Sequence, residues 1–80
     1  MSRAKTKDER FMIAVYEEVQ DDFDREVDRY EMGNRIGLQS RGVDAICNML
    51  IQANFLKKRS PLTVSLTENG KNLVLRVLQE

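Results

Sequence analysis

The stretch RYEMGNRIGLQSRGVDAICNMLIQANFLKKR, residues 29–59, decides the fold because it contains two successive helical patterns. The first begins at Arg29 or Tyr30 and places apolar side chains at helical spacing as far as Leu38. Gly37 can adopt a left-handed backbone without a Cβ clash, so it is expected to end this short helix.

The second pattern covers residues 41–54 and predicts a longer helix. Its inward face is predicted to hold Val43, Ile46, Cys47 and Leu50. Ser40 stands just before it, where a hydroxyl can accept from the first amides of a helix, so Ser40 is the expected N-cap. The two patterns together predict a pair of helices joined by a tight turn.

After Asn54 the apolar period changes from helical to alternating. Leu62, Val64 and Leu66 alternate with Thr63, Ser65 and Thr67, which indicates a strand with one buried face. Pro61 marks the turn from a preceding strand near Phe55 and Leu56. Thr67 is then expected to cap a last helix with an apolar face of Leu73, Val74, Val77 and Leu78.

The N-terminal third predicts one more helix and an acidic connection. Phe11, Met12, Val15, Tyr16 and Val19 recur at helical spacing between Asp8 and about Asp21. Residues 1–7 are expected to be a flexible basic tail. Residues 21–28 interrupt the period and indicate an acidic loop, with Val27 starting a very short strand.

These elements predict an α+β fold, mainly α, in residues 8–80, with a three-helix core, a C-terminal β-hairpin and a closing helix. Eighty residues suffice for one domain, and 41% hydrophobic residues indicate a globular chain. No apolar run is long enough to span a bilayer, and no signal peptide is evident. A cytoplasmic location is therefore expected.

The residue inventory argues against catalysis. Cys47 is the single cysteine and the chain has no histidine, so zinc sites of the usual kind and imidazole-based catalysis are excluded. Cys47 also falls on the inward face of its helix. No glycine-rich phosphate loop is present, and we expect neither enzymatic activity nor a cofactor or metal.

Charge is unevenly distributed although the formal net charge is zero. Residues 17–31 contain eight acidic and two basic side chains, whereas residues 32–59 contain five basic and one acidic. Such a division predicts an oriented surface. If the partner is a polyanion such as DNA, repulsion between like charges should direct the acidic loop away from it. The hairpin is expected to lie in another part of the molecule, away from this loop.

The same residues resemble the winged helix-turn-helix of bacterial regulators of the MarR and ArsR type. The resemblance covers about residues 11–78. It rests on Met32, Gly33, Ile36, Gly37, Leu38, Ser40, Val43, Asp44, Ile46, Leu50, Phe55 and Leu56, and on Val64, Leu66, Thr67, Gly70 and Leu73. The resemblance implies a DNA-binding transcriptional regulator whose hairpin is the wing.

In such a fold the helix at 41–54 can enter the major groove, where Arg41 suits guanine and Asn48 or Gln52 suits adenine. The cations beside the wing can contact phosphates. The predicted DNA-binding residues are Ser40, Arg41, Asp44, Asn48, Gln52, Lys57, Lys58 and Arg59.

An alternative is a non-enzymatic protein-interaction module, because winged helices serve both purposes. Its apolar anchors would be Met49 and Ile51, expected to be exposed on the same helix. A homodimer is expected for the regulator, since one module reads few base pairs. The first or last helix would supply the contact, and Leu75, opposite the core face of the last helix, is a candidate.

Overall fold

The computed structural model describes residues 5–20, 22 and 24–79. Over these residues the chain is α+β and mainly helical, with four helices and one three-stranded antiparallel sheet, which confirms the predicted class. The elements are α1 (Lys7–Val19), β1 (Val27–Asp28), α2 (Arg29–Arg35), α3 (Ser40–Gln52), β2 (Leu56–Lys58), β3 (Thr63–Leu66) and α4 (Glu68–Leu78).

Helix α1 begins at Lys7, one residue before the predicted start, because Thr6 caps it. The Thr6 hydroxyl accepts from the Glu9 amide, and the Glu9 carboxylate accepts from the Thr6 amide at 2.9 Å. This reciprocal capping box satisfies two amide donors at the helix end. Thr6 and Lys7 thus belong to the helix start, while residues 1–4 of the predicted tail and Asp21 lie outside the described residues.

The turn between α2 and α3 depends on two glycines. Gly37 has a φ of 77°, the left-handed conformation expected of it. A Cβ on Gly33 would overlap Cγ2 of Val43, so the glycine allows α2 and α3 to pack closely. The predicted tight connection between the helices is therefore set by backbone conformation and by close packing.

Ser40 is not the N-cap of α3, contrary to the prediction. The cap is Gln39, whose side chain makes no capping hydrogen bond, and Ser40 is already the first helical residue. The Gln39 carbonyl accepts from the Val43 amide at 3.0 Å, which begins the helix one residue earlier than a Ser40 cap would. The helix ends at Gln52, two residues before the predicted end, and Asn54 has a positive φ of 65°.

The sheet has the order β1-β3-β2, so the last strand in sequence is the central one. The short strand expected at Val27 is present and pairs with Val64. Strands β2 and β3 form the expected hairpin, and Pro61 lies in its turn. Ser65 is buried rather than solvent-facing as predicted, because both faces of this central strand are covered.

Helix α4 packs against α1 and closes the core. Thr67 caps it as predicted, accepting from the Gly70 amide at 3.0 Å. A Cβ on Gly70 would overlap the carbonyl oxygen of Phe55, so the helix start needs glycine there. Leu75 is exposed as expected, but Leu78, predicted to face the core, is 50% exposed in the last turn.

The core contains side chains from every helix and strand. Its most buried members are Phe11, Met12, Val15, Met32, Val43, Cys47, Leu56, Val64 and Val74. Arg29 is buried with them at 5% exposure, although the sequence gives no sign of it. Within the described part of the chain, no helix is long and apolar enough to cross a membrane.

Candidate nucleic-acid interface

The outward face of α3 is polar and mostly exposed. Arg41, Asn48 and Gln52 are exposed, as is Ser40 at the start of the helix. Guanidinium and amide groups on one helix face are the chemistry that hydrogen-bonds base edges. The structure therefore presents these predicted residues to solvent together on one element.

Asp44 lies on the same helix but is half-buried and bonded to a neighbouring element. Its Oδ1 accepts a hydrogen bond of 2.7 Å from the Tyr30 hydroxyl of α2. This hydrogen bond raises the pKa of Tyr30 above its usual value, with burial adding to the effect. Asp44 thus fixes α3 against α2.

The three predicted cations lie together where β2 enters the hairpin turn. Lys57, Lys58 and Arg59 are all exposed, and β2 is an edge strand of the sheet. Only residues 53–56 separate them from the end of α3. The exposed polar helix face is therefore followed directly by a positively charged sheet edge.

The hairpin turn, residues 59–62, is held by a compact hydrogen-bond set. The Ser60 hydroxyl oxygen accepts from the Leu62 and Thr63 amides at 3.1 and 3.0 Å. The Thr63 carbonyl accepts from the Arg59 amide, and the Leu62 carbonyl accepts from the Arg29 amide, both at 3.0 Å. These bonds tie the turn to β3 and to the start of α2.

The acidic stretch does not lie away from the hairpin, contrary to the prediction. Its end forms β1, which pairs with β3, and Oε1 of Glu26 accepts from the Thr63 hydroxyl at 2.7 Å. Asp28 caps α2 by accepting from the Tyr30 amide at 2.8 Å. The sheet therefore has an acidic edge at β1 and a basic edge at β2, on opposite sides of the central strand β3.

The two predicted apolar anchors on α3 differ in exposure. Met49 is 48% exposed and lines a cavity of about 340 Å³ with Ala53, Phe55 and Leu73. Ile51 is half-buried and packs against the core, so the expectation of an exposed Ile51 is wrong. The Ile51 side chain thus lies on the side of α3 that packs on the core.

A second cavity, of about 380 Å³, lies between α1, the end of α2 and the end of α4. Ile13, Ala14, Ile36 and Leu78 supply its apolar lining. The helices expected to form a homodimer thus leave apolar side chains at the surface.

Cys47 is fully buried, and burial raises the pKa of its thiol to about 11. Within residues 5–20, 22 and 24–79, no cluster of acidic residues and cysteine is suited to a metal ion.

The chain matches no protein-family model, no curated protein and no solved structure.

Sequence reasoning missed two features next to the interface: the burial of Arg29 and the bond from Tyr30 to Asp44. The hydrogen bond to Asp44 could have been expected from the sequence. Asp44 is an acidic residue on the partly apolar side of a helix, and such a residue needs a hydrogen-bond donor nearby. The burial of Arg29 had no such signal, since an arginine at the first position of a helix is ordinarily solvated.

Proposed function

We propose that the chain is a winged helix-turn-helix domain that binds duplex DNA, with α3 as the recognition helix and the β2–β3 hairpin as the wing. The observation that supports this best is the run of exposed cations at Lys57, Lys58 and Arg59, directly after the exposed polar face of α3. A helix in the major groove with cations on the flanking phosphates is the usual arrangement for such a domain.

The exposed side chains of α3 then have separate roles. Arg41, near the N-terminus that enters the groove, suits guanine O6 and N7, whereas Asn48 and Gln52 suit adenine N6 and N7. Asp44 acts by holding α3 through Tyr30 rather than by reading a base. Ser40 is exposed at the first helical position, and we assign it a phosphate contact.

The two edges of the sheet give the complex a direction. The basic β2 edge attracts phosphates, while Glu26 and Asp28 at the β1 edge are repelled by them. The duplex is therefore expected to approach from the α3 and β2 side. Such a domain fits a cytoplasmic transcriptional regulator that binds paired half-sites as a homodimer.

A salt titration of duplex binding tests the proposal. Affinity should fall steeply as salt rises, and the triple change Lys57→Ala, Lys58→Ala and Arg59→Ala should reduce the slope of log K against log salt by about 0.9 for each phosphate that is no longer neutralised. The matched control is the triple change Lys5→Ala, Lys7→Ala and Arg76→Ala, which removes three exposed cations far from the hairpin in sequence. It should leave the slope unchanged. If no duplex binds even at low salt, the proposal is wrong.

A second candidate function is protein binding at the Met49 cavity. Its apolar lining and the Asp8 carboxylate at its rim suit a basic amphipathic helix of a partner. A synthetic peptide of that kind should bind by calorimetry, and Met49→Asp should abolish its binding while Arg41→Ala leaves it intact. Absence of peptide binding would remove this candidate.

A further inference from the structure

Leu62 lies at the tip of the hairpin with its side chain directed away from the core. It is 54% exposed, more than Met49, Leu75 or Leu78, the other large exposed hydrophobic residues in the described part of the chain. Its neighbour Pro61 is also exposed. The turn therefore presents an apolar tip immediately after three cations.

The backbone of Leu62 is held on both sides. Its amide donates to the Ser60 hydroxyl at 3.1 Å, and its carbonyl accepts from the Arg29 amide at 3.0 Å. Arg29 begins α2, so the tip is tied to the helical part of the fold. Because the backbone is already ordered, a contact made by this side chain costs little further conformational entropy.

An aliphatic side chain gains nothing from phosphates or from the hydrogen-bonding edges of bases. On a duplex, the apolar surfaces open to it are the thymine methyl group in the major groove and the face of a base that has been partly unstacked. Because α3 is proposed to fill the major groove, the second surface is the one that suits the hairpin. Apolar side chains inserted from the minor groove in this way kink DNA, and pyrimidine–purine steps yield most easily. The adjacent cations would hold phosphates on the β2 side of such a step, while the Glu26 carboxylate, bonded to the Thr63 hydroxyl, lies on the other side of the tip.

We propose that Leu62 is a wedge that enters the minor groove, partly unstacks a flexible base step and bends the duplex. This inference rests on the proposed DNA-binding function and adds a mode of recognition to it. Lys57, Lys58 and Arg59 supply affinity for the backbone. Leu62 supplies preference for deformable sequence.

Ring closure of short DNA tests the wedge without knowledge of a binding site. Linear fragments of about 150 base pairs or less resist ligation into circles, because that length is the persistence length of DNA. At low salt, wild-type protein should raise the ring-closure rate by about tenfold. Leu62→Ala should lose the increase while keeping the salt slope of binding, and Leu62→Met, which keeps an apolar wedge, should retain it.

Asn34→Ala is the control, because Asn34 is exposed on α2 and belongs to none of the proposed contacts. It should accelerate ring closure as the wild type does. Duplex binding without accelerated closure, or equal acceleration by Leu62→Ala, overturns the wedge and leaves DNA binding standing. Absence of any duplex binding at low salt overturns both.

Discussion

Arg29 places a guanidinium group in the core without the partners it needs. Its side chain is 5% exposed, and Nε and Nη2 have no hydrogen-bond partner among the described residues. Cys47 lies near enough for the charge of Arg29 to act on its thiol, but that thiol is un-ionised and offers no counter-charge. A buried charge with two unpaired donors is costly, so this residue reduces the stability of the fold.

Replacing Arg29 with methionine should therefore stabilise the domain. Methionine keeps a similar stem and removes the unpaired donors, so Arg29→Met should raise the free energy of unfolding by about 1–3 kcal/mol in urea titrations. Arg41→Met is the control, because Arg41 is exposed, and it should change stability by less than about 0.5 kcal/mol. A clear loss of stability in Arg29→Met would contradict the prediction.

Sequence patterns predict the exposure of single residues well where a helix has a strong apolar period. They place Val43, Cys47 and Leu50 inside and Arg41, Asn48 and Gln52 outside, as observed. They fail where tertiary contacts decide, as for Ile51, which packs on the core, and Leu78, which lies beyond it. The apolar spacing around Ile51 is like that around an exposed residue, and the spacing around Leu78 is like that around a buried one.

At the scale of elements, α3 is unlike the other helices in having no side-chain N-cap. Thr6, Asp28 and Thr67 accept from amides at the starts of α1, α2 and α4, whereas Gln39 does not. Its first amides are left for solvent or a ligand. The helix that is proposed to approach DNA is thus the one whose N-terminal amides are not capped by a side-chain oxygen.

Cap variants should separate the observed boundary from the predicted one. Thr6→Ala should lower the free energy of unfolding by about 1 kcal/mol, because it removes a capping bond. Ser40→Ala should have almost no effect on stability, because Ser40 is already helical. Gln39→Ser should raise stability by about 0.5–1 kcal/mol by supplying a cap. A large loss in Ser40→Ala by thermal or urea unfolding would contradict the observed boundary.

Periodicity and turn chemistry predict all four helices and the hairpin to within a few residues. Gly37, Pro61 and Thr67 mark the ends of elements because each has one dominant local role. The sheet order is not predictable in this way, since pairing of Val27 with Val64 joins distant parts of the chain. The acidic edge of the candidate interface follows from that pairing and was missed for the same reason.

At the scale of the whole molecule, an ion-pair cluster joins α1, the acidic connection and α2. Glu18 bonds to Arg35 of α2 and, at 2.8 Å, to Arg25, while Glu31 approaches Arg35 at 3.5 Å. The hydrogen bond from Arg35 lowers the pKa of Glu18 below its ordinary value of 4.5, and the charges of Arg35 and Arg25 add to this effect. The cluster links the N-terminal helix to the rest of the domain.

The cluster should make stability depend on acid pH. Because the folded pKa of Glu18 is lowered, its contribution is present above pH 4.5 and is lost as the pH falls through the lowered value. Glu18→Gln should therefore be less stable than wild type at pH 7, and the gap should close at strongly acid pH.

Unfolding midpoints in urea at pH 7 and at pH values well below 4.5 measure this gap. Glu17→Gln is the matched control, because Glu17 is the exposed neighbour of Glu18 on α1. The difference in stability between Glu17→Gln and wild type should not change with pH in the way expected for Glu18→Gln. A wild-type advantage over Glu18→Gln that is equal at both pH values would contradict the assignment.

The burial of Cys47 gives the molecule its own reporter of opening. A thiol reacts with an alkylating reagent when it is both ionised and accessible. In the folded chain at neutral pH the Cys47 thiol is neither, because its pKa is about 11 and it is fully buried. Alkylation must then wait for α3 to separate from the core. The labelling rate, divided by that of the unfolded chain, gives the fraction of time spent open. Because the sequence has a single cysteine, the mass increase from one alkylation measures the opening of the domain, and no probe has to be introduced.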